Sequence, residues 1–113
     1  MINNRFNVVY HLLCVVKLKN NFNMEMNIKK LNWRDNITDF GKSKGLFEIL
    51  ADVKELGITY HIRNHKYWGD SVTDKYYFFQ ANGEEMLECD NVEDAKSKAQ
   101  EYFKQTILKL FFD

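Results

Sequence analysis

The stretch KYYFFQANGEEMLEC, residues 75–89, decides the fold. Its first seven residues are rich in the aromatic side chains that are typical of strands. Asn82-Gly83 follows, and this dipeptide between two apolar runs predicts a tight hairpin because both residues tolerate a positive φ. Residues 84–89 are then expected to return as the partner strand. The stretch therefore predicts an antiparallel sheet that contains this hairpin.

Residues 92–110 predict a helix directly after the hairpin. Asp90 or Asn91 is suited to cap it, and Glu93 and Asp94 place negative charge on the first turn, where the helix dipole favours it. The apolar side chains recur at spacings of three and four residues and form one stripe: Val92, Ala95, Ala99, Tyr102, Phe103, Ile107 and Leu110. We expect this stripe to lie across one face of the sheet.

The segments before the hairpin complete the predicted sheet. Residues 28–34 predict a first strand, residues 35–45 a polar loop, and residues 58–63 (ITYHIR), after Gly57, another strand. Residues 46–56 fit both helical spacing and strand alternation, so their pattern leaves both structures open. The predicted fold class is α+β, an antiparallel β-sheet of three to five strands packed by one C-terminal α-helix.

Composition places the chain among ordinary folded proteins. Its 113 residues are enough for one domain, and 45% are hydrophobic and 28% charged. Sixteen Lys and Arg balance sixteen Asp and Glu, so bulk charge does not favour a basic nucleic-acid binder. The first 23 residues carry three of these bases and no acid, which leaves thirteen bases against sixteen acids in the remainder. The predicted domain is therefore mildly acidic.

Residues 1–23 differ from the remainder in pattern as well as in charge. Val8–Val16 is a mostly apolar run of nine residues, whereas a helix that crosses a bilayer needs about twenty. We expect residues 1–23 to be a peripheral N-terminal extension or an edge strand, and residues 24–113 to form a single α+β domain. No membrane partner is expected.

Residues with reactive or metal-binding side chains are few. Cys14 and Cys89 lack CxxC or zinc-finger spacing, which favours reduced thiols in the cytoplasm. The acidic residues around Cys89 raise the pKa of a thiol. His61 and His65 have i,i+4 spacing, but a predicted strand and turn do not bring them together as a helix would. We expect no catalytic residue, no metal site and no cofactor, and so no enzyme.

Aromatic residues give the candidate contact surface. Alternation places Tyr76 and Phe78 on one face of their strand and Tyr77 and Phe79 on the other. One pair packs under the helix, and the other is covered by a second layer or is open to a partner. The candidate partner-binding residues are Tyr60, Tyr67, Trp68 and Tyr77.

Two family resemblances arise from these motifs. With residues 46–56 as a helix, the order helix, three strands, helix, with FFQANGEEML before AKSKAQ, resembles the double-stranded RNA-binding domain. That family holds phosphates with lysines at the start of its last helix. Here those positions are Val92-Glu93-Asp94, which repel phosphate.

The chain from Leu31 to Leu110 also resembles small uncharacterised proteins encoded by phages and prophages. The resemblance rests on Leu31-Asn32-Trp33, on GITYHI at residues 57–62, and on a last helix of EEAKxxAQ type at residues 92–103. It favours a strand over residues 46–54 and implies no catalytic or ligand-binding residue.

We therefore expect a small non-enzymatic binding protein of the cytoplasm. The second resemblance implies a phage or mobile-element accessory protein. Together with the mild acidity it favours an inhibitor of a host nuclease or defence complex. The alternative is a nucleic-acid-binding module resembling a double-stranded RNA-binding domain. The expected partner is another protein, and the oligomeric state is left open.

Overall fold

The computed structural model describes residues 13–19, 23–66, 71–81 and 86–112 of the chain. Its elements, in order, are β1 Leu13–Lys19, β2 Asn23–Ile28, β3 Arg34–Asp35, α1 Asp39–Ser43, β4 Glu48–Val53, β5 Ile58–Arg63, β6 Tyr76–Gln80, β7 Leu87–Cys89 and α2 Val92–Phe112. The chain divides into two compact units, of which one is Leu31–Glu101 and the other is made by the chain before and after it.

The smaller sheet consists of β1 and β2. The two strands are antiparallel and pair from Leu13 with Ile28 to Lys19 with Asn23. β1 takes up the end of the apolar run Val8–Val16, whose first residues lie outside the described part of the chain. The predicted domain boundary between residues 23 and 24 falls within β2. The boundary stays a prediction.

The larger unit contains a five-stranded antiparallel sheet in the order β3-β4-β5-β6-β7. Every strand pairs with its neighbours in sequence, so short connections are enough to build the sheet. The C-terminal helix packs against this sheet. The predicted α+β fold class is confirmed, with the strand number at the upper end of the predicted range.

The ambiguous residues 46–56 are resolved in favour of a strand. Residues 48–53 form β4, a 3-10 turn follows at Lys54–Leu56, and Gly57 closes it with a φ of 65°. This left-handed conformation suits glycine because it has no Cβ. The double-stranded RNA-binding domain requires a helix at this point of the chain, so the helix, three strands, helix order is not found.

Two predictions before β4 are wrong in detail. The strand predicted over residues 28–34 is reduced to β3, Arg34–Asp35. The predicted loop over residues 35–45 contains α1, because the Thr38 hydroxyl accepts a hydrogen bond from the Gly41 N–H at 3.1 Å and caps the helix.

One face of the five-stranded sheet, the core face, carries most of the apolar core. Directly paired residues lie on the same face, and Ala51 pairs with Tyr60, Ile49 with Ile62, and Ile62 with Phe78. Each of these side chains is at most 7% exposed. Cys89 lies on the same face through its pairing with Tyr76. Ala95 and Ala99 of α2 are fully buried, because small side chains let a helix approach a sheet closely.

The predicted helix is confirmed, and its first turn is fixed by side chains. The Asn91 side chain accepts the Asp94 N–H at 2.8 Å, and the Asp94 carboxylate accepts the Asp90 N–H at 3.1 Å. Lys98 lies 3.3 Å from Asp94 at i,i+4. Tyr102 departs from the predicted stripe, since it is 46% exposed. No helix among the described residues is long and apolar enough to cross a membrane.

The close approach of α2 to the sheet can be tested at Ala99. Ala99→Leu inserts three carbons where there is no free space, and we expect it to lower the free energy of unfolding by about 1–3 kcal/mol. The same side chain introduced by Ser97→Leu lies on the exposed side of the helix, and we expect a change within about 0.5 kcal/mol. Urea unfolding of both variants measures the difference, and equal values would contradict the packing.

Candidate functional site

The predicted contact residues are not all placed as expected. Tyr60 is fully buried and Tyr77 is 4% exposed, so neither ring is open to a partner. Tyr60 lies on the core face with its ring centroid 5.6 Å from that of Phe78. Tyr67 and Trp68 lie outside the described residues, and their partner-binding role stays a prediction.

The opposite side of the sheet, the charged face, carries Glu48, His61, Arg63 and Phe79 beside the buried Leu50 and Tyr77. Glu48 is 6% exposed. Its carboxylate accepts a hydrogen bond from the Asn36 side chain at 2.5 Å and lies 3.4 Å from Arg63 Nη1 and 3.7 Å from His61 Nδ1. The Arg63 guanidinium and the His61 ring lie 4.5 Å and 4.6 Å from the centre of the Phe79 ring. The Phe79 ring therefore makes a cation–π contact with Arg63 and stacks against the His61 ring.

The ionisation of Glu48 follows from these contacts. Burial raises the pKa of the carboxyl group, but the His61 ring, the Asn36 hydrogen bond and the Arg63 charge together outweigh burial, so the pKa is lowered below its ordinary value. The group is therefore a charged carboxylate at neutral pH. Its neighbours compensate that charge, which makes the cluster a structural ion pair.

A pocket of about 420 Å³ lies beside α1, and we call it the α1 pocket. Its volume falls within the range of about 300–1,000 Å³ that is usual for binding sites. One wall comes from the α1 region and the residues after it, and the other from three described residues after β5, namely His65, Ser71 and Val72. Apolar atoms dominate the lining, which includes Ile37, Phe40, Gly41, Leu46, His65 and Val72.

The side-chain amide of Asn64 holds the two walls together. Asn64 is 6% exposed. Its Oδ1 accepts the Phe47 N–H at 2.9 Å, and its Nδ2 donates to the Gly45 carbonyl at 2.9 Å. Its backbone carbonyl accepts the Thr73 N–H at 2.9 Å, which ties down the other wall. The geometry of the pocket therefore depends on this one residue.

The ring of His65 forms part of the inner lining of the pocket. His65 is 3% exposed, and its Nδ1 lies 3.2 Å from Asn64 Oδ1. Because that amide oxygen only accepts hydrogen bonds, the proton is assigned to Nδ1. His65 is in this way oriented by the same residue that fixes the walls.

The rim of the pocket exposes apolar surface. Phe40 is 69% exposed and Val72 41% exposed. The Lys44 ammonium lies 4.5 Å above the centre of the Phe40 ring. An exposed aromatic ring beside an apolar recess is typical of a contact site for a partner.

The other candidate groups of the sequence are held in structural positions. Cys89 is a free thiol, 1% exposed, and burial raises its pKa above the ordinary value despite the nearby Lys98. The raised thiol pKa expected from the sequence is found, but its largest cause is burial and not the acidic neighbours. His61 lies on the charged face, and His65 lines the α1 pocket. Within the described part of the chain, no group of three potential metal ligands is found.

The comparisons with known proteins add no relative to this picture. No protein-family model matches the chain, and no significant match is found among curated proteins or solved structures.

The role of Asn64 can be tested by truncation. Asn64→Ala leaves the Phe47 N–H and the Gly45 carbonyl without their partner, and each such buried group costs about 1–3 kcal/mol. We expect the free energy of unfolding to fall by about 2 kcal/mol or more, measured by urea unfolding. Asn32→Ala, at an exposed position, is the control and should change it by less than about 0.5 kcal/mol. Similar small losses in both variants would contradict the role of Asn64.

The lowered pKa of Glu48 makes stability depend on pH. A carboxyl group with a lower pKa in the folded state binds more protons when unfolded. Its stabilisation is therefore present at neutral pH and is lost as the pH falls below the ordinary glutamate range. We expect the advantage of wild type over Glu48→Gln in urea unfolding to shrink between pH ~7 and pH ~3. Glu93→Gln, whose side chain is 86% exposed, should show no such trend. A pH-independent difference for Glu48→Gln would contradict the ion pair.

Proposed function

We propose that this chain is a small non-enzymatic binding protein that contacts a protein partner through the α1 pocket. The observation that carries the proposal is an apolar recess of about 420 Å³ with Phe40 69% exposed at its rim. Exposing a phenylalanine ring to water is unfavourable, and a partner that covers it would gain about 25 cal/mol for each Å² of apolar surface removed from water.

The arrangement of charge supports a protein partner over a nucleic acid. Binding to phosphates requires basic side chains that can replace counterions. Many of the described bases already lie within 4.0 Å of a carboxylate: Arg34, Lys42, Arg63, Lys75, Lys96 and Lys98. A surface on which basic and acidic groups alternate has little affinity for a polyanion.

The environments of the reactive side chains support binding over catalysis. The Cys89 thiol is buried and its pKa is raised, which disfavours the nucleophilic thiolate. The carboxylate of Glu48 is occupied by Asn36 and Arg63. Neither group is prepared to attack or to deprotonate a substrate.

The biological setting is proposed from the resemblance to phage and prophage proteins. It favours an accessory protein of a phage or mobile element that acts in the cytoplasm by binding, for example as an inhibitor of a host nuclease or defence complex. Seven acids against two lysines in residues 84–101 are in keeping with a target that otherwise binds nucleic acid. Tyr67 and Trp68 lie in the sequence between Lys66 and Ser71 and remain candidate contact residues.

The proposal is tested by affinity capture with the tagged full chain from a lysate of the source cells. Wild type, Phe40→Ser and Tyr102→Ser are compared, with half of each lysate treated with nuclease. Tyr102 is an exposed aromatic residue that does not line the pocket, so it is the matched control. We expect one dominant protein in near-equal amounts with and without nuclease. It should be retained by Tyr102→Ser and reduced at least about tenfold by Phe40→Ser, as for an interface hot spot.

Three outcomes would contradict the proposal. Loss of the bound material on nuclease treatment would favour nucleic acid. Equal capture by Phe40→Ser and wild type would place the contact surface elsewhere. Empty capture in both halves would leave the chain without the protein partner that the proposal requires.

A further inference from the structure

We infer that the α1 pocket selects an acidic peptide segment, one in which a carboxylate neighbours a bulky apolar side chain. The inference rests on the proposed function and names the chemistry of the partner. The juxtaposition that carries it is the Lys44 ammonium, beside which no described carboxylate lies, at the rim of an apolar recess.

Among the described residues, the charge that lines the pocket is positive. Lys44 is a lining residue, and no described Asp or Glu lines the pocket with it. No carboxylate of the described residues lies within 4.0 Å of the Lys44 ammonium, which is directed over the Phe40 ring instead. Lys42, two residues earlier, lies 3.3 Å from Asp35 and does not line the pocket. The two lysines are therefore similar in sequence position and different in environment.

The position of Lys44 is fixed by the backbone at the end of α1. Its N–H donates to the Gly41 carbonyl at 3.0 Å, and the chain then turns at Gly45, where φ is 81°. The Lys44 side chain thus starts from a defined point at the rim. Its contact with the Phe40 ring adds a cation–π interaction.

The two features together select one kind of occupant. A bulky apolar side chain in the recess covers Ile37, Leu46 and the Phe40 ring, and it brings its neighbouring residue to the rim. A carboxylate there meets the ammonium beside an apolar surface, where the lowered dielectric strengthens the attraction relative to water. Lys44 would repel a basic residue at the same point. It therefore weakens the binding of basic segments as well as strengthening the binding of acidic ones.

Two blocked dipeptides that differ in charge test the inference. N-acetyl-Phe-Glu-amide and N-acetyl-Phe-Lys-amide are titrated into the full-length chain, and the amide signals of Gly41 and Leu46 are followed by NMR. We expect both peptides to shift these signals and the acidic peptide to bind about three- to fivefold more tightly, as one partly exposed ion pair provides. Lys44→Gln should abolish this preference, and Lys42→Gln should retain it.

The outcomes separate this inference from the proposed function. Equal binding of both peptides to wild type would overturn the charge selection and leave the pocket as a contact site. A preference that survives Lys44→Gln would overturn the role of Lys44. If neither peptide shifts the Gly41 and Leu46 signals, the pocket binds no apolar side chain, and both the inference and the proposed function fail.

Discussion

The pocket and its surroundings depend on how Asn64 ends the pairing of β4 with β5. The last backbone pair joins Glu48 to Arg63. One position further, the Asn64 N–H donates to the Phe47 carbonyl at 3.3 Å, and the Asn64 side chain accepts the Phe47 N–H at 2.9 Å. The side-chain oxygen Oδ1 of Asn64 thus takes the place of the backbone carbonyl that would accept the Phe47 N–H in a regular antiparallel pair. Because the same amide holds Gly45, the end of the sheet and the wall of the pocket form one hydrogen-bonded unit.

The two faces of the sheet favour a proposed contact site at its end. The core face is apolar and is covered by α2. On the charged face, the Phe79 ring contacts both Arg63 and His61, and the buried Glu48 compensates the charge of Arg63. Removing either partner of such a buried pair leaves an uncompensated charge. Substitutions of Glu48 or Arg63 on this face therefore lower the stability of the fold. The α1 pocket lies outside this ion pair, at the sheet end, and binding residues are commonly found on connecting segments carried by a rigid scaffold.

Much of the fold could be predicted because its signals are local. Aromatic alternation defines β6, and the capping residues before Val92 define the start of α2. Residues 46–56 could not be assigned, because their apolar positions satisfy two periodicities and only pairing with β5 decides between them. The site was missed for a similar reason: its described lining comes from residues 36–46 and from His65, Ser71 and Val72, and Asn64 is recognisable as their link only after folding. The sequence did contain one local signal, Thr38-Asp39, which is typical of a helix start within the predicted loop.

The balance of charge in the chain determines how a partner could be selected. Sixteen bases and sixteen acids produce no net charge, so long-range attraction contributes little to the rate of encounter. Most of the described ion pairs are exposed and contribute little to affinity, since each is already satisfied within the chain. Selection must then arise from short-range contacts that differ between one partner and another. Phe40 supplies apolar area, and Lys44 supplies a charge that no described carboxylate neutralises. In the proposed interaction, Lys44 at the rim of the recess is the charge that distinguishes an acidic segment from a basic one.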